Sequence, residues 1–181
     1  MDIKNLFRLH ANFIFPLRKN PMSKRLVREL EDLQTSNEFS VKAINGNTEL
    51  LEATIQCSTS PVYTGMHLIM LNFVNFSGGR FILRIEISPE YPLTPPSVKF
   101  VTRIFHPNVD SKTGEVCLDI LKSDWSPAWG ISAVCRAVVA LMDAPNADSP
   151  LNCDAGNLLR NGDIMGFNSL ARMYTIEYAM N

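Results

Sequence analysis

The sequence predicts an α+β domain: an antiparallel meander sheet packed on a central helix, with one helix before the sheet and others after it. Three observations lead there: a series of short strand-like runs separated by Gly and Pro, a nearly all-apolar helical segment beyond them, and the order of the two, strands first and helices after. Ser23 can cap a first helix in which Leu26, Val27, Leu30 and Leu33 recur at helical spacing, with Lys24, Arg25 and Arg28 on the opposite face. Taken alone, such a basic face is a solvated surface. Strands are expected at 41–45, at 50–57 with partial alternation, at 81–87 with Phe81, Leu83, Ile85 and Ile87 on one face, and at 97–101. Pro61, Gly65, Gly78, Gly79 and Pro89 mark the turns between them. Residues 131–142 read as a buried helix because almost every position is apolar. A shorter helix is expected at about 154–160, and a last one after Asp163 with Ile164, Phe167, Leu170, Ala171, Tyr174 and Tyr178 facing inward.

Composition narrows the function classes. A chain of 181 residues, 46% hydrophobic and 19% charged, is long enough for one domain with a real core. A net charge of −1 gives no electrostatic case for nucleic acid as a partner. The longest apolar run, 66–76, is too short to span a bilayer and contains Asn72 and Asn75. The four cysteines, Cys57, Cys117, Cys135 and Cys153, lack paired C-x-x-C spacing, and the three histidines lie far apart, so no metal site is expected. Without a signal peptide the expected compartment is a reducing one, where thiols stay free. Cys57, Cys135 and Cys153 then default to packing.

Cys117 departs from that default because of its neighbours. It follows the run His106-Pro107-Asn108 and the turn Lys112-Thr113-Gly114-Glu115, and precedes Trp125-Ser126-Pro127-Ala128-Trp129. A thiolate both attacks and leaves well, which suits it to take an acyl group from an activated carboxylate and surrender it later. The transfer passes through an oxyanion, and the carboxamide of Asn108, on a turn stiffened by Pro107, is a candidate donor for it. No histidine stands near Cys117 in the way a cysteine protease requires. The pattern argues for acyl transfer from a donor that is already activated.

Residues from about 61 to 172 resemble a ubiquitin-conjugating enzyme. Five motifs in the family's order carry the resemblance: Tyr91-Pro92-Leu93-Thr94-Pro95-Pro96, His106-Pro107-Asn108, Gly114-Glu115-Val116-Cys117-Leu118, the Trp-Ser-Pro-Ala-Trp run, and Asp148-Ser149-Pro150-Leu151-Asn152. Within the family, the turn at Lys112 together with the stretch 148–160 is most similar to the peroxisomal branch.

The resemblance implies the ubiquitin-conjugating-enzyme fold and an enzyme that accepts ubiquitin from the activating enzyme as a thioester on Cys117. Asn108 would stabilise the oxyanion or hold the loop around it. No cofactor is implied, since ATP is consumed upstream by the activating enzyme. Lys24, Arg25 and Arg28 fall where the family docks that enzyme, and Leu93 with Ser126, Pro127 and Ala128 falls where it meets ligases. Relatives that serve HECT-type ligases often carry Phe where this chain has Leu93, which points to a RING-type ligase. Asp119 either assists the approaching acceptor or is an ordinary loop carboxylate. At the gate opposite the cysteine, where relatives often carry an acid, this chain has Ser149 preceded by Asp148. A serine cannot deprotonate an acceptor lysine, but a thiol needs less help. A cysteine of the peroxisomal import receptor is the substrate that the branch implies. The expected location is the cytoplasmic face of the peroxisomal membrane, held peripherally by a membrane-anchored recruiter, and otherwise the cytosol. The alternatives are another pathway or ubiquitin-like modifier, or a non-catalytic ubiquitin-binding adaptor, which the intact Cys117 disfavours.

Two stretches depart from the family's plain core, so the expected organisation is an extension at 1–21 and a catalytic domain at 22–181 with an insertion at 66–78. The extension mixes Phe7, Leu9, Phe13, Ile14, Phe15 and Leu17 with Lys4, Arg8, Arg18 and Lys19. It reads either as an amphipathic segment that folds onto a surface or as a loose terminus. The insertion reads either as an apolar hairpin extension or as an unspliced intron in the gene model, being a whole number of codons.

Overall fold

Helix α1, Pro21–Ser36, opens the part of the chain that the computed structural model describes, which is residues 21–36, 39–57, 73–118 and 121–180. It starts at Pro21, two residues before the expected cap, so Ser23 lies within its first turn. Proline suits that position because it has no N–H to leave unsatisfied and its φ is already helical. Leu26, Leu30 and Leu33 are buried and turn α1 towards the sheet.

Four strands follow: β1 Ser40–Ile44, β2 Asn47–Gln56, β3 Arg80–Glu86 and β4 Ser97–Phe100. They form an antiparallel sheet in the order β1-β2-β3-β4. Register places inward residues opposite one another, with Val41 on Ala53, Ala53 on Leu83, Leu51 on Ile85, Leu83 on Phe100 and Ile85 on Val98. Strand β2 begins three residues before the expected 50. Asn45 and Gly46 both take positive φ, 52° and 73°, which lets the chain reverse in two residues. That Asn-Gly pair was a readable turn signal absent from the turns expected above.

The later helices are α3 Ile131–Asp143, α4 Cys153–Arg160 and α5 Ile164–Tyr174, continued by a π-helical turn, Thr175–Ala179. Helix α3 buries Ile131, Val134, Cys135, Val138 and Met142 against α1 and the sheet. Phe167 and Ala171 are the buried residues of α5, whereas Ile164 and Tyr178 are not: Ile164 is exposed and Tyr178 half-buried. Ile164 is the first residue of its helix, before the packed face begins, and Asp163 caps it by accepting the N–H of Gly166 at 2.9 Å.

Most of both departures from the plain core, residues 1–20 of the expected extension and 66–72 of the expected insertion, lies outside the described residues. The described end of the insertion does not extend a hairpin. It forms a helical turn, α2 Phe73–Phe76, packed on α5. Phe76 is fully buried, edge-on to Phe81 at 5.8 Å, and Asn75 donates to the carboxamide oxygen of Asn168 at 2.7 Å. Arg172 donates to the Ser77 carbonyl at 2.6 Å, and Gly78 and Gly79 pair with both backbone groups of Cys57. Burial of that aromatic ring is why this part turns inward.

Two polar groups, one half-buried and one fully buried, bind these layers together. Helix α3 has glycine, Gly130, at its cap and no side-chain cap of its own; Glu29 from α1 accepts the Ile131 N–H at 3.0 Å instead. The same carboxylate accepts from Tyr91 Oη at 2.7 Å and Arg25 Nε at 2.7 Å. His106, fully buried beside Phe76, donates from Nε2 to the Leu141 carbonyl at 3.0 Å and accepts the Asn108 N–H at Nδ1, 3.1 Å. Burial lowers its pKa from the ordinary 6.5 to about 4, against the opposing hydrogen bond to Leu141.

Glu29→Ala should lower the unfolding free energy by about 3 kcal/mol in a urea titration, since it leaves a phenol and a helix N–H without their acceptor and takes the charge partner from the Arg25 guanidinium. For His106, the unfolded chain takes up a proton below pH 6.5 while the folded one refuses it until about pH 4. Stability should therefore be full above pH 6.5 and fall by about 3 kcal/mol as pH drops to 4. His106→Gln, measured over the same pH series, should remove one proton's worth of that slope.

Candidate active site

Cys117 lies at the end of a loop whose shape is set by its backbone. Asp110 opens the turn: its carboxylate accepts the N–H groups of Lys112 and Thr113 at 2.9 and 2.7 Å and the Thr113 hydroxyl at 3.0 Å. Those bonds hold the Asp110 carboxyl below its usual pKa range. Gly114 closes the turn with φ 73°, and its carbonyl accepts the Phe100 N–H at 2.8 Å. Any Cβ there would run into the Phe100 carbonyl oxygen, so the glycine permits the loop to lie on β4. Val109 and Val116 then bridge, and the Cys117 N–H donates to the Asn108 carbonyl at 2.9 Å. Val109 and Leu118 are buried, while Cys117 between them stays half-exposed.

The second wall is the loop between α3 and α4. Asn108, buried, clasps it with both ends of its carboxamide: Nδ2 donates to the Asn146 carbonyl at 2.8 Å and Oδ1 accepts the Asn146 N–H at 2.8 Å. The Pro107 carbonyl accepts the N–H groups of Leu151 and Asn152 at 2.8 and 3.0 Å. Asn146 Oδ1 takes the Asp148 N–H at 2.8 Å, and Asn152 caps α4 by accepting from Ala155. Asp148 and Ser149 are left exposed on a loop pinned at both sides. Of the two roles the sequence left open for Asn108, the geometry corresponds to holding this loop.

The remaining cysteines divide by environment. Cys57 and Cys135 are buried, and burial pushes the Cys57 thiol up to about 12, which leaves it protonated and inert. Cys153, expected to pack, is instead exposed at the first position of α4, where the helix has not yet turned inward. Among the described residues no three His, Cys, Asp or Glu side chains are grouped to hold a metal ion, and no helix is long and apolar enough to cross a membrane.

The expected docking residues occupy one connected region. Leu93 is 75% exposed, Pro127 and Ala128 are exposed and Ser126 is half-buried. Their two loops are joined by Trp125 Nε1 donating to the Pro92 carbonyl at 2.8 Å, with the Trp125 ring beside Tyr91 and edge-on to Trp129. Lys24 and Arg28 are exposed on α1. Arg25 is drawn inward: besides Glu29 it donates to the Trp129 carbonyl at 3.0 Å and lies over the Tyr91 ring. Asp119 lies outside the described residues.

Sequence reasoning missed two residues here. Glu29 was detectable only as an i, i+4 partner of Arg25, since its other partners are 62 and 102 positions away. Lys122, whose Nζ donates to Cys117 Sγ at 3.0 Å, carried no signal beyond its nearness in the chain.

A sequence model described as ubiquitin-conjugating enzyme matches residues 25–175. Protein PEROXIN-4 of Arabidopsis thaliana is 62% identical over 105 residues, 58% of this chain and 67% of the relative. Ubiquitin-conjugating enzyme E2 pex4 of Dictyostelium discoideum is 58% identical over 103 residues, 57% of this chain and 69% of the relative. Among solved structures, the H. polymorpha ubiquitin-conjugating enzyme Pex4p, in complex with the soluble domain of Pex22p, superposes with a TM-score of 0.76 at 27% identity, covering 90% of this chain and all of that one. The chain belongs to the ubiquitin-conjugating enzyme family and is similar to its peroxin branch.

Proposed function

We propose that Cys117 is the acyl carrier of this ubiquitin-conjugating enzyme, working in ubiquitination and recycling of the peroxisomal import receptor. The observation that carries the reading is a half-exposed thiol held by its own backbone N–H to the Asn108 carbonyl, while Asn108 holds the opposite wall. In the first step the Cys117 thiolate attacks the ubiquitin thioester on the activating enzyme, and that enzyme's thiolate leaves. In the second, an acceptor amine or thiol attacks the new thioester and Cys117 leaves as thiolate. Asn108 serves both steps by fixing the distance between the cysteine loop and the gate loop, a contribution of positioning. ATP is spent by the activating enzyme, and no metal or organic cofactor is assigned to either step.

Lys24 and Arg28 are the docking residues for the activating enzyme best supported by exposure, and Arg25 supports them by orienting the helix. Leu93, with Pro127, Ala128 and the flank of Ser126, is assigned to a RING-type ligase; its aliphatic side chain stands clear of the surface. Pex4p of H. polymorpha was solved with the soluble domain of Pex22p, which supports a membrane-anchored recruiter for this chain and a peripheral place on the cytoplasmic face of the peroxisome. Ser149 at the gate supports a cysteine acceptor, because a thiol, with a pKa of about 8.5, loses its proton far more readily than an ammonium at about 10.4.

Incubated with activating enzyme, ATP and ubiquitin, the protein should form a conjugate that thiol reagent dissolves, and Cys117→Ser should form one that resists it. A folded protein that forms neither would overturn the reading. On the same gel a RING-type ligase should speed discharge and a HECT-type ligase should accept no ubiquitin. Ser149→Asp should raise discharge of the loaded enzyme to free lysine relative to free cysteine by about tenfold, within the usual range for a positioned base; an unchanged ratio would remove the role assigned to the gate.

A further inference from the structure

The two loops assigned to a ligase, one carrying Leu93 and the other Pro127 and Ala128, are each tied by a side chain to the same carboxylate on α1. Within the first loop the turn closes on itself: the Tyr91 N–H donates to the Ser88 carbonyl at 3.0 Å and the Leu93 N–H to the Glu90 carbonyl at 2.7 Å. Those bonds fix the shape of the turn and leave open where it sits on the domain. Tyr91 sets its place, because the buried hydroxyl donates to Glu29 Oε2 at 2.7 Å. Glu29 Oε1 accepts Arg25 Nε at 2.7 Å, and Arg25 in turn donates to the Trp129 carbonyl at the end of the second loop, at 3.0 Å. The bond from Trp125 Nε1 to the Pro92 carbonyl, 2.8 Å, joins the loops to each other.

We propose that Glu29 is a positioning residue for the ligase step: through Tyr91 and Arg25 it sets both loops so that Leu93, Pro127 and Ala128 form one surface before the ligase arrives. The inference rests on the assignment of that surface to a ligase. Leu93 is 75% exposed and offers the ligase apolar area, but association also costs whatever freedom the loops lose on binding. Loops that are already set lose little. Without the bond to Glu29 the competent pose becomes one of several, and the apparent dissociation constant rises as the inverse of its population. The saturated complex stays the same.

Docking of the activating enzyme does not depend on this link. Lys24 and Arg28 stand on a helix anchored by the buried Leu26, Leu30 and Leu33. A variant that loses only the Tyr91 hydroxyl should therefore be affected by the ligase and not in charging. Tyr91→Phe is such a variant, since the ring keeps its place 6.1 Å from the Trp125 ring, with the Arg25 guanidinium 5.9 Å over it. Glu29→Gln acts on both arms. Tyr91, Arg25 and the Ile131 N–H all donate to the carboxylate, and an amide that replaces one of its oxygens by NH₂ must turn a donor towards a donor.

The test charges the full chain with ubiquitin, stops the activating enzyme and follows discharge to free cysteine over a concentration series of a RING-type ligase that speeds discharge of the parent. Tyr91→Phe should raise the half-saturating ligase concentration about fivefold, the order expected for one hydrogen bond, with the maximal rate and the extent of charging unchanged. Glu29→Gln should raise it at least as far, and adding Tyr91→Phe to Glu29→Gln should raise it no further, because both act through the same bond. Leu170→Ala, half-buried on α5, lowers stability outside this junction and should leave half-saturation where it was. An unchanged half-saturation in Tyr91→Phe would overturn this inference alone. So would a maximal rate and charging that fall together, which is what plain loss of folded protein produces. A charged parent that no RING-type ligase speeds would overturn the assignment of the surface along with it.

Discussion

The carboxylate of Glu29 accepts hydrogen bonds from its own helix, from Tyr91 and from the first N–H of α3, so that one partly buried charge joins elements from three parts of the chain. A buried carboxylate costs stability unless it is paired and fully hydrogen-bonded, and here Arg25 supplies the charge while the helix N-terminus supplies a favourable dipole. Gly130 makes the approach possible, because a Cβ there would sit 2.9 Å from Glu29 Oε2. The same contacts push the Tyr91 phenol above its ordinary pKa, first through burial and then through Glu29, so it stays a donor. Remove this carboxylate and α1, the Tyr91 loop and α3 each lose the bond that sets them relative to the others.

The functional surfaces hang from that junction. Tyr91 is one residue from Pro92, whose carbonyl receives Trp125 Nε1, and Trp129 receives Arg25. Buried Tyr91 and half-buried Trp125, Trp129 and Arg25 thus tie together the loops that carry Leu93, Pro127 and Ala128, which remain exposed. A second clasp, Asn108 on Asn146 and Pro107 on Leu151 and Asn152, does the same for the walls around Cys117. In both places backbone polar groups are satisfied internally, and the reactive or contacting side chains are the ones left out.

Much of the fold was legible because its causes are local. Alternation in Phe81, Leu83 and Ile85, helical spacing in Leu26, Leu30 and Leu33, and the run of apolar residues from Ile131 each report which side of an element is dry. Errors fell where a local pattern meets an end or a turn: Ser23 inside α1, Ile164 outside the core, and β2 starting early after Asn45-Gly46. Cys153 shows the same limit, since a cysteine at a helix start can face either way and only the packing of α4 decides.

By itself the sequence determined the family, the meander followed by helices, and Cys117 as the residue to watch, because motif order and hydrophobic period survive without coordinates. Tertiary structure alone decided that Arg25 turns inward, that Asn108 spends its carboxamide on Asn146, that Phe76 fills the core, and that Lys122 stands at the sulfur. The physical reason is range. Periodicity and turn chemistry act over a few residues, whereas a hydrogen bond or a filled core site depends on which distant groups arrive at the same few ångströms of space, and only the folded chain specifies that.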